Sequence, residues 1–236
     1  MKLARPDIFH PRIVLAGDSL SAGETAGRVD DAGLIDALRH RGLQARSLSW
    51  DDPDVLAADL VILRAAHDDV TRSAGFLAWT QRVPNLLNHP DVVAWNVDER
   101  YLRDLEYAGV PTVSGPASDD SVALVFFGGG QSHAFRMAAE GSVVDPDFEI
   151  WDLGRSALRA AAERLSIRID ELLYARADVV GPADDARLVS LDLIAPRLGW
   201  RRLSAGDRDD AQRRFARAVE AALDRLGLGP LSQRRP

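Results

Sequence analysis

The sequence predicts an α/β protein in two parts, a parallel α/β unit followed by an antiparallel sheet with packed helices. Three observations carry this. Up to Val113, short apolar runs alternate with stretches of helical periodicity, the pattern of a parallel sheet. Beyond it, apolar runs come in pairs joined by turn residues, the pattern of hairpins. A long amphipathic stretch near the C-terminus then supplies a helix to cover a sheet face.

In the first part, Ile13–Ala16 reads as a strand running into a loop, Gly17–Gly27. Asp30 or Asp31 is placed to cap a helix with Leu34, Ile35 and Leu38 on one face and Gly42 as its stop. Gln44–Trp50 and Leu60–Leu63 read as the next strands. Phe76, Leu77 and Thr80 recur at helical spacing within Ser73–Val83. Val92–Ala94 reads as a strand, Asn96 as a cap, and Val97–Ala108 as a helix stopped by Gly109. A strand at Pro111–Val113 closes the block, and Ser114–Asp120 reads as a linker.

In the second part, Ser121–Phe127 and Gln131–Met137 flank Gly128–Gly130 as a hairpin. A helix opens at Asp152 or Gly154 and runs to about Leu165, and Leu172–Pro196 forms a second hairpin. Asp207–Leu226 is the last helix, with Ala211, Phe215, Ala218, Val219, Ala222 and Leu226 on one stripe and Gly227 as its stop.

Composition narrows the function classes. The 236 residues are 46% hydrophobic, enough for a packed core, and the net charge of −7 argues against nucleic acid or an anionic membrane as partner. The absence of cysteine removes disulfides, thiolate nucleophiles and Cys-ligated metals. No apolar run reaches the roughly 18 residues of a membrane span, and the expected location is the cytoplasm.

The second hairpin holds the main candidate site. Alternation puts Leu173, Ala175, Ala177 and Val179 on one face and Tyr174, Arg176 and Asp178 on the other. If Val180 pairs with Leu188 across Gly181–Arg187, Asp178 lies opposite Ser190 and Arg176 opposite Asp192. The plain reading is an Arg176–Asp192 ion pair, worth about 0.2–1 kcal/mol if exposed. The sharper one is an oxygen-ligand cation site at Asp178 and Asp192, which the Arg176 charge opposes.

Three other segments carry polar chemistry. In RAAHDD, Arg64–Asp69, the residues His67, Asp68 and Asp69 follow a parallel strand, where α/β folds bind ligands, although such a segment also suits helix capping. Ser132 and His133 are strand neighbours expected to point to opposite faces, so they form no nucleophile–base pair and His133 reads first as structural. GDSLSAG, Gly17–Gly23, resembles the first block of the GDSL esterases, with Ser19 as nucleophile. Those enzymes need a histidine base near the C-terminus, and the histidines here are at 10, 40, 67, 89 and 133.

Several segments together resemble one family. DLVILRAAHDD, FLAWTQRV, LNHPDVVAWNVDERYL, DLEYAGVPTV, SVALVFFGGGQSHAFRM, LLYARADVV and LVSLDLIAP are similar, in this order, to segments of ATP-grasp proteins related to the cyclo-ligase of cycloserine biosynthesis. The resemblance covers most of residues 55–200. It implies an N-terminal pre-ATP-grasp-like α/β domain, residues 1–115, and an ATP-grasp-like domain, residues 116–236, shortened by loss of the small nucleotide-covering subdomain. Members of that family are implied to clamp ATP and magnesium and to couple a carboxylate, activated as an acyl phosphate, to an amine or similar nucleophile. Against that pattern, Glu99 and Met137 stand where the family has lysines, and Ser190 and Asp192 where it has paired glutamates.

ATP carries about four negative charges that lysines and magnesium must balance, so these departures imply a protein that uses neither nucleotide nor metal. The resulting expectation is an ATP-independent enzyme of specialised metabolism that cyclises, eliminates from or rearranges an amino-acid-derived small molecule. Arg176 would bind the substrate carboxylate and Asp178 or Asp192 would act as general base. His67, Asp68 and His133 are further catalytic candidates, and Arg136, Tyr174 and Ser190 further substrate contacts. The alternative is a non-catalytic partner of a full-length ligase. Either form is expected as a homodimer or in complex with a pathway enzyme; an active ligase or a Ser19 hydrolase ranks below both.

Overall fold

A computed structural model describes residues 10–17, 31, 33–64, 74–98, 100–137 and 143–229 of the chain. Strands β1 (Arg12–Gly17), β2 (Gln44–Ser49), β3 (Leu60–Leu63) and β4 (Leu86–Leu87) form a parallel sheet in the order β2-β1-β3-β4. Helices α1 (Leu34–His40), α2 (Ala74–Thr80), α3 (Pro90–Asn96) and α4 (Tyr101–Tyr107) belong to this half. The second sheet is antiparallel. It takes β5 (Val122–Phe127), β6 (Gly130–Arg136), β7 (Val143–Val144), β8 (Tyr174–Val180) and β9 (Arg187–Asp192) in the order β7-β6-β5-β8-β9. Helices α5 (Phe148–Arg164) and α6 (Ala205–Arg225) complete the described elements. The expected α/β class and the change from parallel to antiparallel pairing are both present.

Alternation along β5, β6 and β8 gives the antiparallel sheet two apolar faces. Leu124, Phe126, Ala134, Ala175 and Ala177 pack with Leu153, Ala157, Leu158 and Ala161 of α5. On the other face, Val125, Phe127 and Phe135 share a cluster with Ile13, Leu15, Leu60 and Ile62 of the parallel sheet and with Phe215 and Val219 of α6. One apolar cluster therefore runs through both sheets.

Several local expectations are corrected. Val92–Ala94 lies inside α3, because Pro90 takes the first helical position and the His89 ring accepts from the Asp91 N–H at 3.3 Å. A short apolar run suits strand or helix equally, and the proline decides. Asn96 caps no helix. It is buried, donating to the Leu191 carbonyl at 2.8 Å and accepting from the Leu193 N–H at 2.7 Å, and α4 begins only at Tyr101. Asp31 gives its carboxylate to Arg64 (2.8 and 3.0 Å) while Gly33 takes the cap position of α1; Asp30 lies outside the described residues. Pro111–Val113 does not join the parallel sheet, and instead Thr112 bridges Leu188 on the β9 edge.

Helix α5 starts at Phe148, ahead of the expected Asp152 or Gly154. Gly154 has a different task. A Cβ there would stand 2.8 Å from Leu124 Cδ1 and 3.0 Å from Phe126 Cζ, so the glycine permits close approach of helix and sheet.

The hairpin β8–β9 is fastened by a side chain from the other half. Asn88, fully buried, donates to the carbonyls of Tyr174 (3.0 Å) and Leu193 (2.7 Å) and accepts from the Leu173 N–H (2.7 Å). Replacing Asn88 with leucine strands three buried backbone groups, and urea unfolding should show a loss of about 3 kcal/mol. Gly154→Ala should cost about 1–3 kcal/mol by overpacking, with the fold retained in circular dichroism.

Candidate functional site

The expected pairs Arg176–Asp192 and Asp178–Ser190 are formed. Nearer the turn the register slips. Val179 pairs with Leu188 and Val180 with Arg187, leaving Val189 as the extra residue of a β-bulge, so the expected Val180–Leu188 pair does not occur. Val125 of β5 pairs with both His133 and Arg176, which puts His133, Arg176 and Asp192 in one cross-strand row. Phe135, Ala123, Asp178 and Ser190 make the next row on the same face. His133 and Arg176 are two strands apart, about 10 Å.

The carboxylate of Asp178 is 1% exposed. Its Oδ2 accepts from Arg176 Nη2 at 2.9 Å and from the Ser190 hydroxyl at 2.7 Å, while its buried Oδ1 accepts no hydrogen bond. The hydrogen-bonded carboxylate partner of Arg176 is thus Asp178, two residues on along its own strand, in place of the Asp192 expected across the ladder. Asp192 turns Oδ1 to the Ile194 N–H at 3.0 Å and senses Arg176 as a neighbouring charge. Burial pushes its carboxyl above the usual carboxylate range, and Arg176 only partly offsets this.

Tyr174 begins the same face, fully buried. Its hydroxyl lies 2.6 Å from the Ile194 carbonyl, 2.8 Å from that of Leu63 and 3.2 Å from that of Leu87, and Arg64 stands over its ring at 5.5 Å. These are the contacts of a clamp between the sheets, and burial raises the phenol's pKa. Arg136 is on the other side. It pairs with Val122, which pairs with Val179, and this register puts it on the α5 face, away from Arg176.

His133 and Ser132 overturn an expectation. Ser132 is the extra residue of a bulge in β6, since Val125 pairs with His133 and Phe126 with Gln131. The bulge breaks the alternation, and Ser132 Oγ comes within 2.9 Å of His133 Nδ1. The Leu198 carbonyl, 2.6 Å from Nε2, can only accept, so Nε2 carries the proton and the serine hydroxyl donates to Nδ1. Burial pushes the imidazole pKa down to about 4, opposed by the Leu198 carbonyl and assisted by the Arg214 charge.

The segment after β9 crosses this face as a strap, a contribution the side-chain pattern gave no sign of. Carbonyls of Ile194, Pro196, Arg197 and Leu198 meet Tyr174, Arg64, Arg176 and His133 in turn. Among the described residues no group of three histidine or carboxylate side chains is placed to hold a metal ion. Ser19, His67, Asp68, Asp69 and Glu99 lie outside the described residues.

Known proteins share the fold. Residues 13–88 match the family described as D-cycloserine synthetase DcsG, N-terminal domain. The cycloserine biosynthesis protein DcsG of Streptomyces lavendulae is 35% identical over 100 residues, which are 39% of this chain and 33% of that protein. The match thus spans about a third of the curated relative's length. The crystal structure of D-cycloserine synthetase DcsG superposes with a TM-score of 0.73 at 22% identity, over 91% of this chain and 99% of the other. The D-alanine–D-alanine ligase of Bacillus anthracis, complexed with ATP, gives 0.64 at 12% identity over 91% and 97%.

The fold is ATP-grasp-like.

The resemblance read from the seven sequence segments is therefore borne out. Within this ATP-grasp-like fold the polar shelf occupies the face of β8 and β9 turned toward the parallel sheet.

The half-buried imidazole of His133 links stability to pH. Its folded pKa lies below the ordinary value, so the unfolded chain binds the extra proton first and stability falls as pH drops from about 6.5 toward 4. Between pH 7.5 and 5 this amounts to about 2 kcal/mol. Urea unfolding of the His133→Gln variant at the two pH values should show that difference removed.

Proposed function

We propose that this ATP-grasp-like chain binds an amino-acid-derived small molecule at the β8–β9 shelf and transforms it without ATP, as a cyclisation, elimination or acyl rearrangement in specialised metabolism. The state of Asp178 carries the reading. One carboxylate oxygen is closed by Arg176 and Ser190, and the other is buried without a partner. Such an oxygen suits an ammonium or N–H donor of a ligand. The guanidinium of Arg176 beside it suits the ligand's carboxylate as a charge partner, and the raised carboxyl of Asp192 makes it the proton-transfer group.

Three features of the described residues support this reading over one with magnesium and nucleotide. A guanidinium stands 2.9 Å from one carboxylate oxygen of Asp178, and Ser190 offers a hydroxyl where the resemblance implies a carboxylate. Met137 packs against the apolar cluster where the resemblance implies a lysine. In the described chain only residues 114–121 separate Val113, at the β9 edge, from β5, leaving little room for a nucleotide-covering subdomain.

Thermal denaturation with millimolar magnesium and ATP should leave the midpoint unchanged; a magnesium-dependent rise would restore the ligase reading. Calorimetric titration with small α-amino acids should show binding that Arg176→Gln weakens about tenfold or more, and that Asp192→Asn retains while abolishing turnover. Equal binding by the Arg176 variant would remove the shelf from the proposal.

A second reading, of a non-catalytic partner, draws on Tyr107 and Phe148, which are 89% and 67% exposed at a helix end and a helix start. Self-association or a pathway enzyme would cover them, and a monomer in sedimentation at micromolar concentration would count against it. No helix among the described residues is long and apolar enough to cross a membrane, and the cytoplasmic location belongs to the proposal.

A further inference from the structure

A cavity of about 330 Å³ lies away from the shelf, between the β5–β6 turn and α6. Its floor includes Phe127, which pairs with Tyr174 at the far end of β8 from Asp178. The sequence of α6 builds it. Arg214, Arg217, Ala221 and Arg225 follow at helical spacings, so they share one side of the helix. Ala218 and Ala221 keep that side low between the arginines, and Gly128 lies so near that an added Cβ would stand 3.5 Å from Ala218 Cβ.

The rim is basic in a chain whose net charge is −7. Three guanidinium groups face one carboxylate, Asp170. That carboxylate is held by Arg168 at 2.9 and 3.0 Å, and Arg168 is the chief cause of its lowered pKa, while Arg225 stands 4.0 Å off. Arg214 donates to the Ser132 carbonyl at 2.6 Å, which fixes the side chain and leaves its other N–H groups. Arg217 has no hydrogen-bond or ion-pair partner among the described residues.

We propose that this groove binds a phosphorylated small molecule with a second anionic group, its phosphoryl oxygens held by Arg214 and Arg217 and the second group by Arg225. Arg214 and Arg217 are one helical turn apart, a rise of about 4.5 Å, and Arg225 is about 12 Å further along the axis, which calls for an extended ligand. Planar guanidinium forks match phosphoryl oxygens in pairs, and the cavity has the size of a small-molecule site.

The test titrates the full chain with inorganic phosphate, tripolyphosphate and glutarate by calorimetry, at low ionic strength and with EDTA present to exclude metals. Both phosphates should bind saturably, tripolyphosphate more tightly and glutarate at least about tenfold more weakly. Arg217→Gln, which breaks no described contact, should weaken both phosphates about tenfold, and Arg225→Gln should weaken tripolyphosphate alone. Asp178→Asn, on the shelf, should change neither, which separates this site from the proposed function. No saturable binding, affinities that neither arginine variant alters, or glutarate binding as tightly as tripolyphosphate would overturn the proposal.

Discussion

The amide of Asn88 is the contact on which the arrangement rests. A strand pair that leaves its sheet at Leu173 and Leu193 exposes backbone donors and acceptors, and burial forbids leaving them bare. A primary amide offers two N–H groups and a carbonyl, the complement of what the two chain ends require. Asn96 repeats the device one helix later, and the Tyr101 hydroxyl accepts the Leu191 N–H at 3.1 Å. The β8–β9 hairpin is thus positioned by side chains from the parallel half, and its polar face is turned into the structure by those bonds.

That inward turn decides the electrostatics. Burying a polar group costs free energy unless donors replace its lost hydration, and Arg176 and Ser190 supply them to Asp178 from the same two strands. Asp192, more exposed than Asp178, is still moved toward the protonated form by burial, answered first by the Arg176 charge and then by backbone N–H groups. Two aspartates on adjoining rows therefore meet different donors, a guanidinium and a hydroxyl at Asp178 and a backbone N–H at Asp192.

The sequence made much of this legible, and the misses have identifiable causes. Contiguous apolar runs marked β1 and β3 because strands covered on both faces need no alternation. Strict alternation in β8 sorted Tyr174, Arg176 and Asp178 from their neighbours correctly. The bulges at Ser132 and Val189 were not legible, because an extra residue alters neither composition nor the alternation on either side of it. Asn88 and Asn96 were opaque for another reason. An asparagine beside an apolar run has the same letters whether it opens a helix or saturates a distant strand, and Asn96 read as the former. The strap was invisible since it acts through carbonyls, which every residue possesses.

The apolar cluster that runs unbroken through both sheets limits how the molecule can move. Hinge opening between the halves would wet Leu15, Ile62, Phe127 and Phe215 together. The strap over the shelf is tied into the same cluster, for Leu198 is fully buried within it. Its carbonyls meet Tyr174, Arg64, Arg176 and His133 one after another, so the shelf is closed on that side by main chain, and a substitution of any strap side chain leaves those acceptors in place.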